Sequence, residues 1–194
     1  MKRLLLILVL TFSLQTLSKG DDIRDFQIEG ISLGDNLLDH FSIEELKKQL
    51  KKTDSTYTSK KIKRTWFVIN SDSYEQITVH YKNDGSYKIV NIGGTILYNK
   101  DNMSECFVKM DKVVNDVEVQ LPSAKKIDKR KRKHSRYTKT YITNVVFKLK
   151  KGEIYIACTD WDKDTENKFK WNDHLSVELD SLEFLKWLNN EAYK

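Results

Sequence analysis

Ser32 is the first residue in this chain whose neighbours spell out a reaction. Gly30-Ile31-Ser32-Leu33-Gly34 has the form G-x-S-x-G, the strand-to-helix elbow on which α/β-hydrolases expose a nucleophilic serine. The overlapping Gly34-Asp35-Asn36-Leu37 is one residue away from G-D-S-L, the serine block of a second hydrolase class. Both readings need more than the string. The elbow belongs on a central parallel strand with several strands before it, and Ser32 stands too near the start of the chain for that. Its triad would need a histidine on a later strand end, and nothing in the sequence marks His80 or His174 for that role. In the second string Asn36 occupies the nucleophile position, and a carboxamide cannot attack an acyl carbon as a serine alkoxide does. The closing D-x-x-H of that class fails as well, because Trp171 stands three residues before His174. No catalytic residue is assigned.

A third candidate is the acidic stretch Asp160-Trp161-Asp162-Lys163-Asp164-Thr165-Glu166. Asp160, Asp162 and Asp164 match the first three ligand positions of an EF-hand loop. Thr165 replaces the glycine its turn needs, and Trp171 replaces its bidentate glutamate. The expectation is an acidic loop between strands, with Trp161 and Trp171 covering the sheet edge or the cysteine pair. The histidines His40, His80, His134 and His174 lack ligand spacing, so no metal site is expected. No phosphate loop or dinucleotide fingerprint occurs, and no cofactor is expected.

The compartment is written at the N-terminus. Lys2 and Arg3 precede an apolar run, Leu4 to Leu14, and Thr16-Leu17-Ser18 places small residues at a cleavage point. This is the layout of a secretory signal peptide, too short and lopsided for a membrane span. Residues 1–18 are read as that signal and 19–194 as one domain with no further transmembrane segment, periplasmic or secreted. In such a compartment the pair Cys106 and Cys158 reads as a disulfide.

Charge is unevenly spread. Lys125 to Lys139, KKIDKRKRKHSRYTK, holds nine Lys or Arg and one Asp, and Lys47 to Arg64 holds eight and one. These segments are read as basic loops near residues 51–63 and 123–139. Like-charged runs repel themselves and stay solvated. Lys129, Arg130, Lys131, Arg132, Lys133 and Arg136 form a candidate anion-binding patch. With export and only Tyr137 interleaved, specific nucleic-acid binding is not expected.

Periodicity supplies the elements that would position these groups. A short strand spans Asp25 to Ile31, and a helix from about Asp35, capped by Asp35, buries Leu37, Leu38 and Phe41. Ser42-Ile43-Glu44-Glu45 is a capping box for a second helix. Strands follow over Thr65–Asn70, Glu75–Tyr81 and Tyr87–Tyr98, the last pair joined through Asn83-Asp84-Gly85. Gly93-Gly94 predicts a bulge or a close approach. Met103, Cys106, Met110, Val114 and Val117 mark a long amphipathic helix that Pro122 ends. Strands at Tyr141–Leu149, Glu153–Thr159 and His174–Leu179 precede a helix capped at Asp180 or Ser181. The fold class is α+β: an antiparallel sheet of about five or six strands, two short N-terminal helices, a long central helix and a C-terminal one.

Three blocks resemble a group of small, uncharacterised exported bacterial proteins of similar length: DFQIEGISLGDNLLDHFSIEEL, MSECFVKMDKVVNDV, and IYIACTDWD with DHLSVELDSLEFLKWL. The resemblance implies export and the cysteine pair. It carries no catalytic residue, since no activity is assigned to the group. The expectation is a non-enzymatic binding module of the cell envelope whose partner is another envelope protein or an anionic surface. The alternatives are a hydrolase using carboxylates the sequence does not single out, or a binder of anionic polymer or lipid headgroups through the basic loop.

Overall fold

Glu29 and Gly30 both adopt positive φ, 52° and 77°, the backbone of a two-residue turn that matches the twist of a hairpin. They fold the expected single strand into a small ribbon, β1 (Gln27–Ile28) against β2 (Ile31–Ser32), with Ile28 opposite Ile31. Gly34 turns the chain again at φ 99°. The expected first helix is one 3-10 turn, Leu37–Asp39, and its cap is Asn36, whose side chain accepts from the Leu38 amide. Asp35 instead accepts from the Ser32 amide and faces His40 Nε2 at 3.1 Å. The capping box forms as read: Ser42 and Glu45 hold each other's amides at the start of α1 (Ile43–Leu50). The computed structural model describes residues 22–51, 57–69, 71–98 and 102–194. The expected signal peptide, residues 1–18, and part of the first basic loop lie outside them.

Among the described residues, seven antiparallel strands make the main sheet: β3 (Ile62–Val68), β4 (Gln76–Lys82), β5 (Ile89–Tyr98), β6 (Lys125–Lys133), β7 (Tyr141–Leu149), β8 (Gly152–Asp160) and β9 (Asp173–Ser181). Their spatial order is β3-β4-β5-β9-β8-β7-β6. The last strand in sequence is therefore the central one, and β6 is an edge. Helix α2 (Met103–Gln120) carries the chain from β5 in the middle to β6 at the rim. Its buried stripe, Cys106, Met110 and Val114, packs with Val145, Phe147, Ile154, Ile156, Leu175, Val177 and Leu179. Cys106 and Cys158 are joined as a disulfide with Cα atoms 6.1 Å apart, so the bridge ties α2 to β8. No helix among the described residues is long and apolar enough to cross a membrane.

The glycine pair in β5 works as a close approach rather than a bulge. A Cβ on Gly94 would meet the Tyr74 ring at 2.6 Å, and one on Gly93 would meet Glu178 Cγ at 2.9 Å. The bulge falls earlier: Tyr81 faces Ile89 and His80 faces Asn91, leaving Val90 as the extra residue.

Two loops of the sequence reading are regular structure. The basic segment expected as a loop over 123–139 contains the nine-residue strand β6. Like charges are tolerated there because successive side chains leave opposite faces and an edge strand has a neighbour on one side only. The acidic stretch expected as a loop contains α3 (Lys163–Phe169), started by Asp162, whose side chain accepts from the Thr165 amide, and ended by Lys170 at φ 58°. Helix α4 (Leu182–Asn190) starts at Ser181 as read, and its Phe184 and Trp187 join Ile62, Val90 and Ala192 in a second, smaller core.

Candidate functional site

Strand pairing decides which side chains share a face. β6 pairs with β7 through Lys126 opposite Phe147, then Lys131 opposite Thr143 and Lys133 opposite Tyr141, with a register shift between Ile127 and Arg130. That shift brings Lys126 and Lys129 to the face covered by α2. Lys126 Nζ lies 2.6 Å from Glu118 and Lys129 Nζ 2.9 Å from Asp111, both on α2. Lys129 also lies over the Phe107 ring and Lys131 over the Tyr141 ring. The other face receives Arg130, opposite Asn144, and Arg132, opposite Ile142. Arg132 Nη2 donates to the Tyr155 hydroxyl at 3.1 Å. Arg130, Lys133 and Arg136 are exposed and have no acidic partner among the described residues. The six cations singled out in the sequence thus fall into two groups, one neutralised by α2 or laid on rings, one open to solvent.

Beyond β6 the chain turns through His134, whose Nδ1 accepts from the amides of Arg136 and Tyr137. This turn meets α3. Tyr137, Trp161, Phe169 and Trp171 gather there, with Trp161 4.7 Å from Trp171, Phe169 stacked on Trp171 at 4.7 Å, and Tyr137 edge-on to Trp171 at 5.6 Å. His134 touches Tyr137 and Trp161. Burial, then the charges of Arg132 and Arg136, hold its imidazole below the ordinary pKa. The two tryptophans were expected over the sheet edge or the cysteine pair; they instead join a ring cluster built by three separate segments. Asp160 ends β8, Asp162 holds Thr140 and Thr165, and Asp164 pairs with Lys139. No calcium loop forms from them, and among the described residues no His, Cys, Asp or Glu group is placed to hold a metal.

The face opposite α2 carries a second polar feature at its other end, under α4. Tyr57, His80, Asn91 and Asp180 form a chain of hydrogen bonds across β4, β5 and β9. His80 Nδ1 is 2.6 Å from Asn91 Oδ1, and Asn91 Nδ2 donates to Asp180 Oδ1 at 2.5 Å. Because the Asn91 oxygen can only accept, His80 Nδ1 carries the proton and Nε2 accepts from the Tyr57 hydroxyl at 3.0 Å. Burial keeps this ring neutral. Burial, reinforced by the Arg64 charge, pushes its pKa down to about 3. Burial raises Asp180 well above the carboxylate range, and the neighbouring Glu178 charge raises it further. Glu178 is also raised by burial, against the pull of Arg64. Such a network fixes side chains firmly when every member is satisfied. It gives a role to His80, a residue the sequence did not mark.

Ser32 is not part of a nucleophile pair. Its amide, not its hydroxyl, meets Asp35, and among the described residues no base reaches its Oγ. Two concavities, about 250 Å³ beside Tyr74 and Tyr98 and about 190 Å³ beside Leu46 and Tyr81, lie away from both polar features. Compared with family models, curated proteins and solved structures, the chain matches none.

Proposed function

We propose that this protein is an exported binding module of the cell envelope whose partner presents clustered anionic groups, met by the outer edge of β6 and the turn after it. The observation that carries the reading is the sorting of the cations. Lys126 and Lys129 are spent on Glu118 and Asp111, whereas Arg130, Lys133 and Arg136 stand exposed without an acid. Arg132 shares the face of Arg130, its guanidinium donating to the Tyr155 hydroxyl, while Lys133 leaves the other side of the same edge strand opposite Tyr141. Arginine forks suit phosphate, sulfate or carboxylate oxygens. Charges on a sheet edge also keep it from pairing with another chain, and the two roles are compatible. The signal-like N-terminus and the Cys106–Cys158 bridge support an oxidising compartment.

Heparin binding tests this. Two variants are compared with the parent: Arg130, Arg132, Lys133 and Arg136 all changed to Gln, and Lys126 and Lys129 changed to Gln. The first should bind more weakly at every salt concentration, with the slope of log affinity against log salt shallower by roughly one per cation removed. The second should bind almost as the parent does. Equal binding by the fourfold variant would refute the proposal.

A further inference from the structure

Phe169 and Trp171 are the exposed end of the ring cluster, with 38% and 40% of their surfaces accessible. The other large exposed apolar side chains, such as Val68, Val108 and Val119, lie elsewhere in the chain and take no part in this cluster. Here two aromatic rings are exposed together, backed by Tyr137 and Trp161, with cations around them. Lys168 Nζ lies 5.1 Å over the Phe169 ring. Arg136 lies in the turn whose His134 and Tyr137 touch Trp161. The β6 arginines adjoin the same turn.

The arrangement of the rings selects the occupant. A platform for nucleobases needs a free ring face for each base. Trp171 has Phe169 stacked on it at an interplanar angle of 22°, Tyr137 edge-on at 89° and Trp161 at 4.7 Å. What reaches solvent is a compact aromatic wedge beside cations. Tryptophan and phenylalanine edges next to Lys and Arg are the composition that settles at the headgroup level of a bilayer. A small apolar wedge alone binds a membrane only marginally, and firm attachment takes a second signal such as a basic patch. The open cations of β6 supply that signal toward acidic headgroups.

We infer that the Phe169–Trp171 corner docks this protein onto an anionic lipid bilayer, the rings entering the interface while Arg132, Arg136 and Lys168 meet the headgroup phosphates. The inference rests on the reading of β6 as an anion-binding edge and names the anion's source.

The test uses the chain from Lys19 onward, which retains every described element and lacks the apolar Leu4–Leu14 run that would itself partition into lipid. Flotation with phosphatidylcholine vesicles is compared with flotation on vesicles containing phosphatidylglycerol. The parent should float with the anionic vesicles and stay behind with the neutral ones. The double variant Phe169→Ser, Trp171→Ser should lose about tenfold or more in partitioning while keeping the parent's heparin affinity. The fourfold β6 variant should lose both. Since the double variant could misfold, lipids brominated near the headgroup provide a second readout on the unaltered chain, whose tryptophan fluorescence they should quench. Three results would overturn the inference: no flotation by the parent, full flotation by a folded double variant, or no quenching. Heparin binding that persists in those cases would leave the proposed anion binding standing, whereas loss of heparin binding as well would remove both. Tighter binding to a single-stranded oligonucleotide than to the anionic vesicles would also overturn it, in favour of a nucleic-acid partner.

Discussion

Acidification should destabilise this protein through His80. In the unfolded chain the imidazole has an ordinary pKa of 6.5; in the folded chain burial and Arg64 push it down to about 3. Stability from this group is then fully present above pH 6.5 and is lost as pH falls toward 3, because the unfolded state takes up a proton that the folded state refuses. Between pH 7 and pH 5 the unfolded imidazole goes from mostly neutral to almost wholly charged, while His80 in the relay stays neutral. The linked loss is about 2 kcal/mol. His174 and His134, also held below their ordinary values by burial, add to it with the same sign. Glu178 and Asp180 act in the opposite direction: with raised pKa values they stabilise the fold below pH 3.8 to 4.5, and that contribution fades as pH rises. The net curve therefore mixes signs, and His80 is isolated by difference. Urea unfolding of the parent and of His80→Gln should be followed at pH 7 and pH 5. The variant will be less stable at pH 7, since Tyr57 and Asn91 lose their partner. Its loss on going to pH 5 should be about 2 kcal/mol smaller than the parent's. Equal losses would refute the assigned relay, as would a His80 ring proton in NMR that titrates between pH 5 and pH 7.

Replacing both Cys106 and Cys158 by Ala should cost about 4 kcal/mol in urea unfolding, the chain-entropy value for a bridge spanning 52 residues; a loss under about 1 kcal/mol would mean that the α2–β8 contact restrains the unfolded chain little. Gly94→Ala should destabilise the protein by about 1–3 kcal/mol, because its new methyl group would stand 2.6 Å from the Tyr74 ring. Adding Tyr74→Ala should recover part of that loss, and strictly additive effects would show that the ring is not what the glycine admits.

Elements defined by local rules were legible in the sequence. The capping box at Ser42, the apolar stripe of α2, the stop at Pro122 and the Ser181 cap each depend on residues within one or two turns. The alternation in β7, β8 and β9 was readable for the same reason. Length failed where a turn was hidden inside a pattern: Phe26, Ile28 and Ile31 read as one strand, but Glu29 takes a left-handed conformation that a glutamate does not announce. α3 was missed because a seven-residue helix whose only large apolar residue is Phe169 has almost no apolar stripe. Its sign was Asp162 three residues before Thr165, a cap that the calcium comparison concealed. The ring cluster was beyond sequence reasoning. Tyr137, Trp161 and Trp171 come from separate segments that meet only because β6, β7, β8 and β9 lie side by side. The hydrogen-bond chain was equally hidden: His80, Asn91 and Asp180 are brought together by the register of β4, β5 and β9, and Tyr57 reaches His80 from the segment before β3.

The basic run shows how close the sequence came to its own answer. Lys129-Arg130-Lys131-Arg132-Lys133 alternates two kinds of cation with a period of two, which is the period of a strand. Counted as charge alone, the run says only that it repels itself. Counted by residue type, it says that lysines leave one face and arginines the other. The structure agrees: Lys129 and Lys131 lie on the rings of Phe107 and Tyr141, on the α2 side, while Arg130 and Arg132 point to the polar face. Flexible lysine stems can lie along apolar surface and still keep their charge wet. Arginine offers a rigid fork that an α2 acid does not require but an incoming oxyanion does. The register shift after Ile127 fixes this sorting, since moving the pairing by one residue would exchange the two faces. Deleting the surplus bulge residue Asp128 should therefore leave Arg130 opposite Asn144 and Arg132 opposite Ile142 and keep anion binding, whereas exchanging the residue types at unchanged net charge (Arg130→Lys, Lys131→Arg, Arg132→Lys, Lys133→Arg) turns the arginine forks to the α2 side and should weaken heparin binding; equal heparin affinity of the exchanged variant would show that the number of these cations, not their arrangement, decides the binding.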